Sequence, residues 1–376
     1  MPLFVSNRVL TPLPLGMGEF AQIWTPDTGV LIGPGMVMDG LLPTIDDPRS
    51  IPAYVAQTPV NVRGTEGWRL MSVFRTAGCE RKRAGSGCSM CGFEGHADPS
   101  ITDDHIRAQS DVVAGLLSRG GFMQADLLTL GNFFNDSEFS PQMRDEILSR
   151  MSTIDSLQRV VVESRREYVT AEKLREAKGT LRDDQILTFA FGYESKDPRI
   201  RNDVLGKGVP EFYLTDCLGM CRDTGVHFSA YVLIKPPGLT EAQAIREAVD
   251  TAVHVFQTAM QYAIPAHVMF APLFVAPGTG IERMFLQGEY RTPWLWSVLE
   301  VIGGTMSAKE WRNAKGQLFV GMSDEGLSDG RFATNCGKCD KRALHAIQIF
   351  NNFQDASEFH RVNCDCEKDW DKEMYG

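Results

Sequence analysis

Cys79, Cys88 and Cys91 fall within thirteen residues, spaced Cys-x8-Cys-x2-Cys. They come just after an apolar run, Leu70 to Arg75, that reads as a strand. Three thiolates on one loop can take three irons of a 4Fe–4S cluster. No fourth cysteine lies nearby, so the fourth iron is left open to an exchangeable ligand. The alternative is a structural zinc site, which needs four ligands, with His96 near enough in sequence to be the fourth. A disulfide framework fits poorly. The cysteine count of nine is odd, the chain is long and no signal peptide is evident, so it reads as a reduced, cytoplasmic protein.

With 376 residues, 43% of them hydrophobic, the chain can bury a large core. The length fits two or three domains or a single α/β barrel. No apolar run is long enough to span a bilayer. The net charge of −10 weighs against a nucleic-acid partner, although a local basic patch can act against the average. Arg81-Lys82-Arg83 is such a run, and it reads as a solvated loop.

Residues 1–60 are rich in Pro and Gly and read as an extended arm. Beyond residue 68, short apolar runs alternate with helical patterns. The strands are expected at Leu70–Arg75, Leu127–Leu130, Val160–Glu163, Leu187–Phe191, Phe228–Ile234 and Val268–Phe270. The helices are expected at 103–120, 141–152, 170–178, 210–224 and 240–262. This alternation predicts parallel strands with crossover helices: an α/β fold, a partial (β/α)6 TIM-type barrel over 61–284. Functional groups then belong at the carboxyl ends of the strands, where the cysteine loop lies. From 285 to 376 the pattern changes to a C-terminal subdomain, opening on a buried helix around Trp294 to Ile302 and ending in a cysteine-rich tail.

An open iron on a three-cysteine cluster is where S-adenosylmethionine (SAM) can be held and reductively cleaved. Other segments point the same way. They are Arg75-Thr-Ala-Gly-Cys79, Gly87-Cys-Ser-Met-Cys-Gly92, Val162-Glu-Ser-Arg165 with Glu167-Tyr-Val-Thr170, and Phe191-Gly-Tyr-Glu-Ser195. Further along come Leu233-Ile-Lys-Pro-Pro237, Gly288-Glu-Tyr-Arg-Thr-Pro-Trp-Leu-Trp296, Asn335-Cys-Gly-Lys-Cys339 and Cys364-Asp-Cys366. In these segments the chain resembles the RaSEA-like radical SAM proteins of archaeosine biosynthesis, relatives of the elongator-type radical SAM proteins.

The resemblance implies that Cys79, Cys88 and Cys91 ligate the cluster and that SAM lies across the open top of the barrel. Met90 stands where many members carry an aromatic against the adenine, and its polarizable sulfur can cover that face or simply pack. Gly131 and Asn132 follow the second strand, where the family has a Gly-rich segment meeting the methionine amino group; here the doubled glycine with glutamate is missing. Glu163 and Arg165 are two apart, which puts them on one face of a strand. They suit the ribose hydroxyls and carboxylate of SAM, or else pair with each other. Glu194 closes the fourth strand and Lys235 the fifth, and both are candidates to hold SAM or substrate.

Cys336, Cys339, Cys364 and Cys366 make a second constellation. Four thiols in two pairs suit either tetrahedral zinc or an auxiliary 4Fe–4S cluster. Cys217 and Cys221, four apart on a helix, read as small core hydrophobes. The expected activity is reductive SAM cleavage followed by hydrogen abstraction from a small polar metabolite, a nucleoside or nucleotide. Sulfur insertion from an auxiliary cluster is one variant. The alternatives are a tRNA-base-modifying lyase of the archaeosine type and a non-catalytic iron–sulfur or zinc protein. The resemblance implies a flavodoxin- or ferredoxin-like electron donor as partner.

Overall fold

The computed structural model describes residues 23–24, 31–32, 47–322, 327–328 and 330–375. Most of the expected N-terminal arm, residues 1–60, lies outside them. Two short strands, β1 (Ile23–Trp24) and β2 (Leu31–Ile32), pair antiparallel at the edge of the sheet. They are followed by β3 (Tyr54–Val62) and β4 (Thr65–Phe74), an antiparallel hairpin. The expected boundary at residue 60 therefore falls inside a strand.

From β4 the sheet is parallel. A short helix α1 (Glu80–Arg83) and the long α2 (Asp103–Gly120) lead to β5 (Gln124–Thr129). Then follow α3 (Pro141–Ser152), β6 (Arg159–Glu163), α4 (Ala171–Thr180) and β7 (Ile186–Glu194). Next come α5 (Tyr213–Thr224), β8 (His227–Ile234), α6 (Glu241–Tyr262) and β9 (Ala266–Pro272). Strands β4 to β9 pair in sequence order, each parallel to the next. These six strands and their helices are the partial (β/α)6 barrel.

The strands read as nearly continuous apolar runs because both faces are covered: all nine residues of β7 are buried. The helices start at side-chain caps. Ser140 takes the Met143 N–H, and Thr240 forms a capping box with Gln243. On α6 the buried residues Ala244, Ala248, Thr251, Ala252, Val255 and Ala259 recur every three or four positions and face the sheet.

After β9 come α7 (Gly280–Leu286), α8 (Leu295–Ser307), α9 (Lys309–Asn313), β10 (Leu318–Val320), α10 (Asp340–Phe353) and α11 (Glu367–Tyr375). Strand β10 pairs parallel with β9, so the cysteine-rich segment continues the barrel sheet. Trp296, Ile347 and Trp370 share one apolar core with Phe228 and Phe256 of the barrel. Cys217 and Cys221 lie fully buried in that same core, as expected. No described helix is long and apolar enough to cross a membrane.

Candidate functional site

Cys79 follows β4 through a turn at Gly78, whose φ is +83°, and stands at the N-cap position of α1. The loop is pinned to its neighbours through the backbone. Ser89 donates its N–H to Leu205 O at 2.9 Å and its hydroxyl to Val204 O at 3.0 Å. Gly280 donates its N–H to Ser89 O at 3.1 Å. Cys79, Cys88 and Cys91 are all part-exposed and unpaired. Burial pushes the Cys91 thiol up to about 12.

The end of β5 backs onto Cys79. A side chain at Gly131 would place its Cβ 2.1 Å from Glu138 Oε2 and 3.2 Å from the Cys79 Cα, so only glycine fits. Asn132 directs its amide at Cys79 Sγ, 3.8 Å away, while its Oδ1 accepts the Arg165 N–H at 2.9 Å. Glu138, which sequence reasoning missed, sits beneath both. It accepts from Glu80 N at 2.6 Å, from Asn135 Nδ2 at 2.9 Å, and from the Asn132 backbone and amide. This buried carboxylate fixes the start of α1 and the turn after β5 together.

Glu163 ends β6, and Arg165 lies just past the strand. The two do not pair with each other: Arg165 Nε binds Glu167 at 2.5 Å. The ion-pair alternative is thereby corrected, because the chain leaves the strand at Ser164 and turns Arg165 toward its own short 3₁₀ turn, Arg166–Tyr168. Both terminal nitrogens of the Arg165 guanidinium are buried without a partner. A buried guanidinium with two free donors is built to take a carboxylate. Burial raises the Glu163 carboxyl to about 7; Lys207 opposes that rise and Glu194 adds to it.

Glu194 sits at a register shift in β7 with φ +65° and forms a buried ion pair with Lys207. Burial alone would lower the Lys207 ammonium, but Glu194 and Cys88 raise it above its ordinary value. A Cβ at Gly192 would fall 2.1 Å from Lys207 Nζ, so glycine there makes room for the pair. Lys207 was invisible in the sequence. It lies on an irregular loop after a π-helical turn, Arg199–Val204, and carries no motif. Met90 packs, half-buried, against an apolar cluster that includes Leu205, Leu233 and Val275. Lys235 has φ +62° at the end of β8, and its ammonium is held in a buried ion pair by Glu241.

The raised Glu163 carboxyl has a consequence for stability. The folded chain keeps this proton up to about pH 7, whereas an ordinary glutamate, at 4.5, loses it earlier. Between those values the folded state binds the extra proton, so stability falls as pH rises and levels off above about 7. Glu163→Gln should remove that fall and make the ligand-free protein more stable at pH 8, by on the order of 2 kcal/mol. Thermal melts of both proteins at pH 5 and pH 8 check it. An equal difference at the two pH values would count against it.

The four C-terminal cysteines converge. Cys336 Sγ lies 3.6 Å from Cys364 Sγ, and Cys339 Sγ lies 3.6 Å from Cys366 Sγ. All four sulfurs are within 4.8 Å of one another. Asp340 shapes the first pair by accepting the N–H groups of Asn335 and Gly337. Asn335 Nδ2 donates to Cys339 Sγ at 3.3 Å and Trp296 Nε1 to Cys366 Sγ at 3.4 Å. Donors aimed at two of the sulfurs suit thiolates. The loop cysteines Cys79, Cys88 and Cys91 form no such tight group among the described residues.

A three-cysteine loop stands at the carboxyl end of β4, the first strand of the partial barrel. The chain is similar to archaeosine synthase subunit beta of Methanosarcina acetivorans, with 26% identity over 313 residues, covering 83% of this chain and 86% of the relative. It is also similar to archaeosine synthase subunit beta of Thermococcus kodakarensis, 25% identical over 316 residues, covering 83% of this chain and 93% of that one. No family model matches the chain. Among solved structures it overlaps the archaeal Elp3 of Methanocaldococcus infernus with an N-terminal deletion. The TM-score is 0.46 and the identity 13%, over 69% of this chain and 60% of that one.

Proposed function

We propose that the chain binds SAM at a cluster on Cys79, Cys88 and Cys91 and directs the resulting radical at a nucleoside-type substrate. The observation that carries the proposal is the buried Arg165 guanidinium, unpartnered at both terminal nitrogens and tied through Asn132 to the Cys79 loop. A 4Fe–4S cluster held by these three cysteines would supply the electron for reductive cleavage of SAM. The chain's own residues do the placing. Arg165 takes the SAM carboxylate, Glu163 meets the ribose hydroxyls, and Met90 covers the adenine. Glu194 is paired with Lys207 and stands across the mouth. Lys235, already neutralised by Glu241, has a positioning part more than a binding one.

The nucleoside class is supported by the relatives, which are named for the synthesis of archaeosine. The net charge of −10 favours a free nucleoside or nucleotide. A second reading, a base carried in tRNA, is favoured by the resemblance itself. The relatives are named as subunits, so a partner chain belongs to either reading. The test is reductive turnover with SAM in heavy water, using protonated substrate pools: modified nucleosides in one arm, tRNA in the other. Stimulated 5′-deoxyadenosine formation and product in the nucleoside arm support the first reading. Turnover in the tRNA arm alone moves the substrate into RNA, and stimulation by neither overturns the nucleoside class.

The C-terminal centre reads as a single tetrahedral ion, zinc. Four sulfurs around one ion at about 2.3 Å stand about 3.8 Å apart, close to what is found here. Around a 4Fe–4S cluster they would stand roughly 6 Å apart, because each binds a different corner iron. A one-ion site would have no sulfide to give, so this reading does not call on the sulfur-insertion variant.

A further inference from the structure

We propose that Ser297 and Trp370 are positioning residues that couple the C-terminal metal centre to the Lys235–Glu241 pair at the end of β8. The proposal rests on reading the four cysteines as a metal centre and the carboxyl end of the barrel as the SAM site. Two consecutive residues in the first turn of α8 face two different structures. Trp296 holds the metal centre: its indole N–H points at Cys366 Sγ, and its backbone N–H goes to Asn335 Oδ1 at 3.2 Å. Ser297 holds the barrel mouth: its hydroxyl donates to one oxygen of Glu241. The other oxygen of Glu241 takes the Lys235 ammonium. Trp370, four residues past Cys366, closes the ring by donating its indole N–H to Ser297 Oγ at 2.8 Å.

Every member of this chain is buried, and Ser297 is wholly so. Such a network is stiff when complete, because each group has its partner and water cannot substitute. It also ends on a strained residue. Lys235 is a non-glycine at φ +62°, a conformation that persists only when its surroundings impose it. Tyr290 adds a second constraint, donating its hydroxyl to Lys235 O at 3.0 Å. Releasing Cys366 frees the start of α11 and with it Trp370. Ser297 then loses the donor that orients its hydroxyl, and Glu241 loses a partner in a dry interior. The backbone at Lys235, where β8 opens into the SAM site, loosens in turn.

The experiment uses the full chain with its cluster and C-terminal metal loaded. Trp370→Phe keeps the ring in the core and removes only the indole donor; Ser297→Ala removes the hydroxyl. Both should keep the C-terminal metal at full occupancy by mass spectrometry. Amide exchange in 235–241 should rise about tenfold in both, and again in wild type stripped of that metal. The KM for SAM should rise severalfold while kcat at saturating SAM stays unchanged. Unchanged exchange in 235–241 in all three samples overturns the coupling. Raised exchange with an unchanged KM overturns the positioning role. Lys235→Met separates the underlying reading: if it leaves the KM for SAM unaltered, this end of β8 does not serve the SAM site, while the exchange data still decide whether the metal centre is coupled to it.

Discussion

Replacing Cys79, Cys88 and Cys91 together by alanine is expected to remove about four irons per chain and to abolish 5′-deoxyadenosine formation. The loop around them is held through the Ser89 backbone and hydroxyl by bonds to Leu205, Val204 and Gly280, none of which needs a cysteine side chain. The variant should therefore fold, with a melting temperature near that of the cluster-free wild type. The second support is Glu138, which fastens α1 and the β5 turn whether or not iron is bound. Iron analysis and product chromatography on anaerobically reconstituted protein check the expectation. Retained SAM cleavage in the triple variant would place the cluster elsewhere.

Replacing Cys339 and Cys366 by alanine is expected to be worse for the fold than for the cluster. Both residues belong to the core that joins the C-terminal segment to the barrel. Their loss removes one zinc, leaves iron at about four, and costs on the order of 3 kcal/mol or more in stability. A 4Fe–4S centre gives the opposite reading: iron near eight in the intact protein and near four in the variant. Metal counts and melting curves on the two proteins distinguish these outcomes. A variant that keeps its zinc and its stability would mean the four sulfurs hold nothing in solution.

The barrel was legible because its strands are covered on both faces. Runs such as Leu187–Phe191 and Phe228–Ile234 need no alternation to declare themselves, and the helices between them carry their own caps. The strand β3 escaped because Pro59 interrupts it. A proline in a strand argues for an edge, and among the described residues β2 pairs with β3 at Val55 alone. The candidate cluster ligands Cys79, Cys88 and Cys91 stand out in the sequence because they lie on one loop. Glu138 and Lys207 were not, because a buried carboxylate or ammonium is recognised by its partners, and those come from the folded surroundings: α1 and the loop after β5 for Glu138, β7 for Lys207. The pairing of Arg165 went unforeseen for a related reason. Period two holds only while the chain stays in the strand, and β6 ends two residues short of Arg165. For the C-terminal cysteines, spacing named candidate ligands but could not give the distances between their sulfurs. The separation of 3.6 Å within each pair is a property of the folded chain.

The central claim, that SAM binds the open iron of a cluster on the Cys79 loop, is tested most directly by magnetic resonance on the reduced protein. The sample is wild type, anaerobically reconstituted, with SAM labelled by nitrogen-15 at the amino group and carbon-13 at the carboxylate. The account predicts electron–nuclear coupling between both labels and the reduced cluster, and loss of the carboxylate coupling in Arg165→Met while the cluster signal remains. A reduced-cluster signal in wild type that shows no coupling to either label would contradict it.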